Sequence, residues 1–342
     1  MALSVTAGRR VVKPIPSAHA AAEGIFVAGD GVIYGPDGNE FVPVGANLGT
    51  TLCFDWAGTA NGHAAAAVSW GWNCIRLNVM GTDFLGTNYL AMFPGLAAFL
   101  TYLDGVITQY TSLGIVVILE AHDNPKYAGK VQSVIEADMV TFWAAAAAKW
   151  KNNAYVWFNP INEPAYSNAE WVALHRRLCW AVRWSGASAP LVVDAPVSGQ
   201  DGGSAYNVSY LYGYDPAMAP ALEAEFGNVI LASHPYGWFY DTPAELTAYV
   251  GNVRAAGLTP LFGEFGYTYN GTSTAGTYTQ NYDAAQAVFS VAPALGVGAL
   301  WWHGTHADYY TLTANNTGFW NADPTVPTNT SDGGMNLWAL TH

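Results

Sequence analysis

The chain has 342 residues, 51% of them apolar, enough to bury one large core. Only 11% are charged and the formal net charge is −13, with 12 Lys and Arg spread thinly, which leaves no electrostatic footprint for nucleic acid or an anionic membrane. No apolar run approaches the ~20 residues of a membrane span, and Cys53, Cys74 and Cys179 have neither metal-ligand spacing nor an even count for a disulfide framework.

Residues 1–24 are small, polar and Ala-rich and read as an extended N-terminal segment. Arg9, Arg10 and Lys13 are not followed by the apolar stretch of a secretory signal. From Ile25 to Asn39 two Asp-Gly pairs mark a β-hairpin. A strand-then-helix rhythm follows. Strands are expected near 41–47, 73–79, 115–121, 155–162, 190–195, 228–234, 259–264 and 297–302. Helices are expected over 61–70, 94–112, 133–150, 168–185, 243–256 and 279–293, with a weaker one over 206–224. Residues 303–335 read as an ordered loop before a short closing helix near 336–341. Eight strands alternating with helices predict an α/β protein of the (β/α)8 TIM-barrel class, a single domain over 25–342.

Two stretches carry the chemistry. In Ala154-Tyr-Val-Trp-Phe-Asn-Pro-Ile-Asn-Glu-Pro164, a buried strand runs out at Asn162-Glu163, because Pro164 cannot donate and pushes Glu163 away from helical geometry. In Leu258-Thr-Pro-Leu-Phe-Gly-Glu-Phe-Gly266, Glu264 ends a second apolar run. A parallel barrel brings such strand ends together on one face. Paired carboxylates are the equipment of glycoside hydrolysis, in which one protonates the leaving oxygen and the other attacks or activates water. Arg76 follows Cys-Ile within the second strand, and other strand ends are polar too: His122-Asp123, Asp194, His234-Pro-Tyr236 and Trp301-Trp302-His303. Taken singly, His122 reads as a hydrogen-bonded core histidine. A polar group at almost every strand end does not read as packing.

The set Arg76, His122, Asn162-Glu163-Pro164, His234-Pro-Tyr236, Gly263-Glu264-Phe-Gly266 and Trp302 resembles the family 5 glycoside hydrolases of the clan A barrels, from about Phe41 to Trp302. The resemblance implies Glu163 as general acid/base, Glu264 as nucleophile and Asn162 as partner of the sugar 2-hydroxyl. It implies that Arg76 holds Glu264 ionised and that Tyr236 hydrogen-bonds it. His122 and His234 would line the subsite of the reacting sugar, with Trp302 as its floor and Trp301 as the fallback. A retaining mechanism requires the carboxyls about 5–5.5 Å apart. The resemblance implies a polysaccharide substrate and no metal or organic cofactor; a monomer, extracellular or released, is expected, since polymer substrates lie outside cells.

Ile118-Leu-Glu-Ala-His-Asp-Asn and Val192-Val-Asp-Ala-Pro-Val-Ser-Gly-Gln-Asp201 look like the corresponding stretches of bacterial β-1,4-mannanases, which favours β-mannan or glucomannan over the alternative, an endo-β-1,4-glucanase. A further alternative is a barrel that binds carbohydrate without cleaving it. Trp56, Trp238, Tyr240 and Trp320 read equally as flanking sugar platforms or as local core. His303-Gly-Thr-His306-Ala-Asp308 has ligand-type residues but reads as a hydrogen-bonded loop.

Overall fold

In the computed structural model, the described residues are 24–49, 60–79, 93–122, 132–164, 168–196, 198–200, 218–237, 241–266, 275–302 and 340. The expected hairpin forms: Asp30-Gly31 turns β1 (Val27–Gly29) back onto β2 (Val32–Tyr34), and both turn residues adopt positive φ. Eight strands then close a parallel barrel. They are β3 (Val44–Gly49), β4 (Cys74–Val79), β5 (Val116–Ala121), β6 (Val156–Asn159), β7 (Leu191–Asp194), β8 (Val229–Ser233), β9 (Thr259–Phe265) and β10 (Gly298–Trp301), which pair in sequence order with β10 returning to β3. Helices α1 (Ala64–Ser69), α2 (Leu96–Thr111), α3 (Gln132–Trp150), α4 (Asn168–Arg183), α5 (Met218–Phe226), α6 (Pro243–Ala255) and α7 (Ala275–Leu295) fall between them. Among the described residues no helix is long and apolar enough to cross a membrane.

Two expected strands are trimmed by proline. The first begins at Val44, because Pro43 has no N–H to give a neighbour. Phe41, expected in that strand, instead packs edge-on against Phe26 and Trp157 under the barrel, so the hairpin and its exit chain plug the amino-terminal end. The fourth expected strand stops at Asn159, cut by Pro160 rather than by Pro164. Asn162 and Glu163 therefore lie on the loop just above the strand. Of the weak helix expected over 206–224, the described part falls in α5; residues 201–217 lie outside the described residues, as does the expected closing helix apart from Leu340. Helix α6 starts as its sequence dictates: Thr242 accepts from the Glu245 N–H, Glu245 bonds back to the Thr242 hydroxyl, and Pro243 opens the first turn.

The strands place side chains on two sides with period two. Val116, Ile118, Trp157, Val192, Ile230, Leu261 and Leu300 fill the barrel. Their neighbours Val117, Leu119, Phe158, Val193, Leu231 and Phe262 face the helix layer. Continuing the inward period toward the carboxyl ends gives Arg76 and Asn78 on β4, Glu120 on β5, Asn159 on β6 and Asp194 on β7. The mouth is polar because the inward residues of the last strand turn are polar. On β9 the period breaks. Ala299 pairs with Phe262 but Trp301 pairs with Phe265, so three residue steps on β9 oppose two on β10. This bulge turns Glu264 into the mouth while Phe262 and Phe265 both stay in the outer core.

Candidate active site

Arg76 is the centre of the mouth. It is wholly buried, and its guanidinium reaches four other strands or strand ends. Nε donates to Asn159 Oδ1 (2.8 Å), Nη1 to Asn47 Oδ1 (3.0 Å) and Glu264 Oε2 (3.3 Å), and Nη2 to Asn162 Oδ1 (2.9 Å) and Asp194 Oδ2 (3.1 Å). Glu120 lies 3.6 Å from Nη2. A charge this deep is sustained only if it is paired and hydrogen-bonded throughout. Burial pulls the Arg76 pKa down, but the carboxylates of Glu120, Asp194, Glu264 and Glu163 outweigh it and the net shift is upward.

Glu264 accepts from the Tyr236 hydroxyl at 2.9 Å on one oxygen and from Arg76 on the other. The contacts expected from Arg76 and Tyr236 are both present. Burial nevertheless raises the Glu264 pKa, with the charge of Glu163 adding to it, while His234, Arg76 and His122 pull it back. Arg76 moderates a desolvated carboxyl rather than depressing it below the ordinary range.

Glu163 sits across the mouth. Its backbone has φ +42° and its N–H donates to Asp194 Oδ2 at 3.0 Å. His234 Nδ1 lies 2.9 Å from Glu163 Oε1 and 3.7 Å from Glu264 Oε2, and its Nε2 lies 3.4 Å from Asp194 Oδ2. The His234 ring is wholly buried, so its polar edges meet carboxylates rather than an open subsite. Burial would lower its pKa, yet Asp194, Glu264 and Glu163 together raise it. One ligand-type atom each from Glu163, His234 and Glu264 lie within 4.8 Å of one another. Such a triad has the donors for a divalent ion, but the Arg76 guanidinium already supplies positive charge there.

His122 and Trp302 form the neighbouring wall. Their rings stack with centroids 4.9 Å apart and 8° between planes, and each keeps under a tenth of its surface exposed. Glu120 Oε2 lies 3.2 Å from His122 Nδ1 and accepts from Asn78 Nδ2 at 2.6 Å. Burial opposes the charge on His122, but Glu120, by charge and by hydrogen bond, raises its pKa overall. Trp301, the fallback, is core: it packs on Phe265 and Phe289 and is 1% exposed. Trp302 follows it with the opposite parity and meets Tyr236.

The eight residues named from sequence therefore converge. Asn47, Asn78, Glu120 and Asn159, not expected in the site from the sequence, are wholly buried and complete the network. The signal was present: each is a polar residue within or at the end of an apolar strand, on the period that points inward. Asp123, Trp56, Trp238, Tyr240, Trp320 and the His303–Asp308 motif lie outside the described residues.

A parallel barrel with two facing glutamates at its carboxyl-terminal mouth, one on Arg and Tyr and one on His, defines a glycoside hydrolase of the paired-carboxylate class. The model of the glycosyl hydrolase family 5 cellulase domain matches residues 36–308, and the chain belongs to that family. Among curated relatives it is 28% identical to a mannan endo-1,4-beta-mannosidase of Streptomyces lividans, over 83% of this chain and 67% of that protein. It is 26% identical to one of Cellvibrio japonicus, over 87% of this chain and 63% of that protein. The chain thus spans about two-thirds of the length of these relatives or a little less. Its fold superposes on the mannanase catalytic domain from Streptomyces sp. SirexAA-E with TM-score 0.68 at 22% identity, covering 98% and 94% of the two chains. It superposes on the Thermobifida fusca endoglucanase Cel5A catalytic domain with TM-score 0.69 at 18% identity, covering 94% and 99%.

Proposed function

We propose that this protein is a retaining endo-β-1,4-glycanase that cleaves internal bonds of β-mannan or glucomannan. The observation that carries the reading is that one ligand-type atom each of Glu163, Glu264 and His234 lie within 4.8 Å of one another, a close approach that suits the retaining pair of carboxyls about 5–5.5 Å apart better than the inverting pair about 6.5–9.5 Å apart. The curated mannosidase relatives support the choice of sugar, as does the Glu120-Ala-His122 wall beside the site.

In this reading Glu264, held by Arg76 and Tyr236, attacks the anomeric carbon. Glu163 gives its proton to the departing sugar oxygen. Glu163, having given up its proton, is then the carboxylate that accepts one from the water that completes the reaction. Asn162, its Oδ1 occupied by Arg76, offers Nδ2 to the 2-hydroxyl of the reacting sugar. His122 and Trp302 present a flat wall to the ring, and His234 acts on Glu163. The chain works as a monomer outside the cell, with residues 25–342 as one catalytic domain. An endo-β-1,4-glucanase is the second reading, supported by the 28% identity to the endoglucanase gh5-1 of Neurospora crassa over 40% of this chain and 30% of that protein.

The test is Glu163→Gln and Glu264→Gln on glucomannan and carboxymethylcellulose, with the product anomer followed by NMR. Each variant is expected to lose at least about 100-fold in kcat, with the wild type releasing the β-anomer first and keeping its activity in EDTA. Full activity in either variant removes that residue from its role, and an α-anomer product overturns retention. Loss of activity in EDTA points to a metal-dependent hydrolase, and binding without release of reducing sugar points to a non-catalytic barrel.

A further inference from the structure

Asp194, the last residue of β7, is wholly buried and touches every part of the Glu163 support. Its Oδ2 accepts from the Glu163 N–H at 3.0 Å and from Arg76 Nη2 at 3.1 Å, and lies 3.4 Å from His234 Nε2 as an ion-pair contact without hydrogen-bond geometry. Its Oδ1 accepts from Asn159 Nδ2 at 2.9 Å, and its backbone carbonyl accepts from Trp171 Nε1 at 3.2 Å. Glu163 itself stands at φ +42°, a left-handed conformation rare for a residue that is not Gly, Asn or Asp, and such a conformation persists only where its surroundings over-determine it.

These two facts meet in one residue. We propose that Asp194 is the positioning residue of the Glu163 acid/base: it clamps the Glu163 N–H to hold the left-handed backbone, and it orients the His234 ring whose other nitrogen meets the Glu163 carboxylate. The proposal rests on the reading of Glu163 as acid/base. Asp194 touches no reacting atom. A single carboxylate oxygen serves the backbone, the imidazole and the guanidinium, so moving it swings Glu163 while Arg76 keeps Asn47, Asn159, Asn162 and Glu264.

The experiment uses a substrate that needs no acid. On a 2,4-dinitrophenyl β-glycoside, Glu264 attacks the anomeric carbon, the carbon–oxygen bond breaks and dinitrophenolate leaves without a proton. Azide then displaces Glu264 from the anomeric carbon to give the β-glycosyl azide, so no base is needed either. Asp194→Asn is expected to lose roughly 100-fold in kcat on glucomannan with KM nearly unchanged, yet to stay within about threefold of wild type on the dinitrophenyl glycoside with azide. Glu163→Gln, run beside it, is expected to behave the same way. Equal loss of Asp194→Asn on both substrates, with Glu163→Gln still recovered, overturns the role of Asp194 alone. If Glu163→Gln itself is not recovered, the acid/base reading falls first. Circular dichroism checks folding. Should Asp194→Asn not fold, Asp194→Glu, which keeps the charge but displaces the oxygen, is measured on the same pair with the same expected split.

Discussion

Arg76 is the residue on which the site depends most, and the reason is geometric rather than electrostatic alone. A planar guanidinium offers five N–H donors in a fixed fork, and here its three nitrogens serve five acceptors. Lysine keeps the charge but has three donors at one point and cannot span Asn47, Asn159, Asn162, Asp194 and Glu264. Arg76→Lys is therefore expected to cost about 3–5 kcal/mol of stability, the scale for a buried charge network left partly unpaired, besides losing activity. Urea unfolding measures it, and an unchanged midpoint would mean the network contributes to chemistry only. Most of the site's residues were readable one at a time. Glu163, Glu264 and Tyr236 each stood at a strand end or just beyond it, and Arg76 was a lone charge inside an apolar strand. The protonation of Glu264 was not readable, since Arg76 in the sequence implies a lowered carboxyl whereas burial in the folded mouth raises it.

At the scale of the element, the β9 bulge and the segment after it aim the site. Gly266 follows β9 and lies against the chain that leaves β10. A Cβ added there would sit 2.6 Å from the Trp302 carbonyl oxygen, a backbone atom that cannot rotate away. Gly266→Ala is thus expected to cost about 1–3 kcal/mol by overpacking and to push Trp302 off His122. Thermal melting reports the first effect, and a raised KM for oligosaccharides reports the second. A variant with unchanged KM would show that the Trp302 wall does not touch substrate. Gly45 makes the same kind of close approach on β3, where a Cβ would collide with the Cys74 carbonyl oxygen. The element boundaries that the sequence reading missed, at Pro43 and Pro160, were both overruns through a proline. Apolar character continues past each, while the hydrogen-bond ladder does not.

Over the whole molecule, the mouth gathers more acid than base. Glu120, Glu163, Asp194 and Glu264 face Arg76 and two histidines. His122 and His234 have folded pKa values above the ordinary 6.5, and Glu264 one above the ordinary 4.5. A group whose pKa rises on folding binds its proton more tightly in the folded state. The histidine contribution to stability is therefore complete below about pH 6.5 and lost as pH climbs through the raised values. The Glu264 shift has the same sign, with its onset lower, near the ordinary carboxyl value. Melting temperature is expected to fall on going from pH 6 to pH 9, and to fall less steeply in the His122→Gln, His234→Gln double variant. Parallel curves for the two proteins would refute this account of the site's charge balance.

The sequence alone determined the strand–helix alternation, the hairpin and the two glutamates that end separate runs, because each depends on residues within a few places of one another: a period, a turn pair, a proline. Tertiary structure decided which acid feels which base. Arg76 meets Glu264 across 188 residues of chain, and His234 meets Glu163 across 71. Only closure of the barrel shortens those separations to hydrogen-bond length, and only burial there strengthens each charge enough to shift its neighbours.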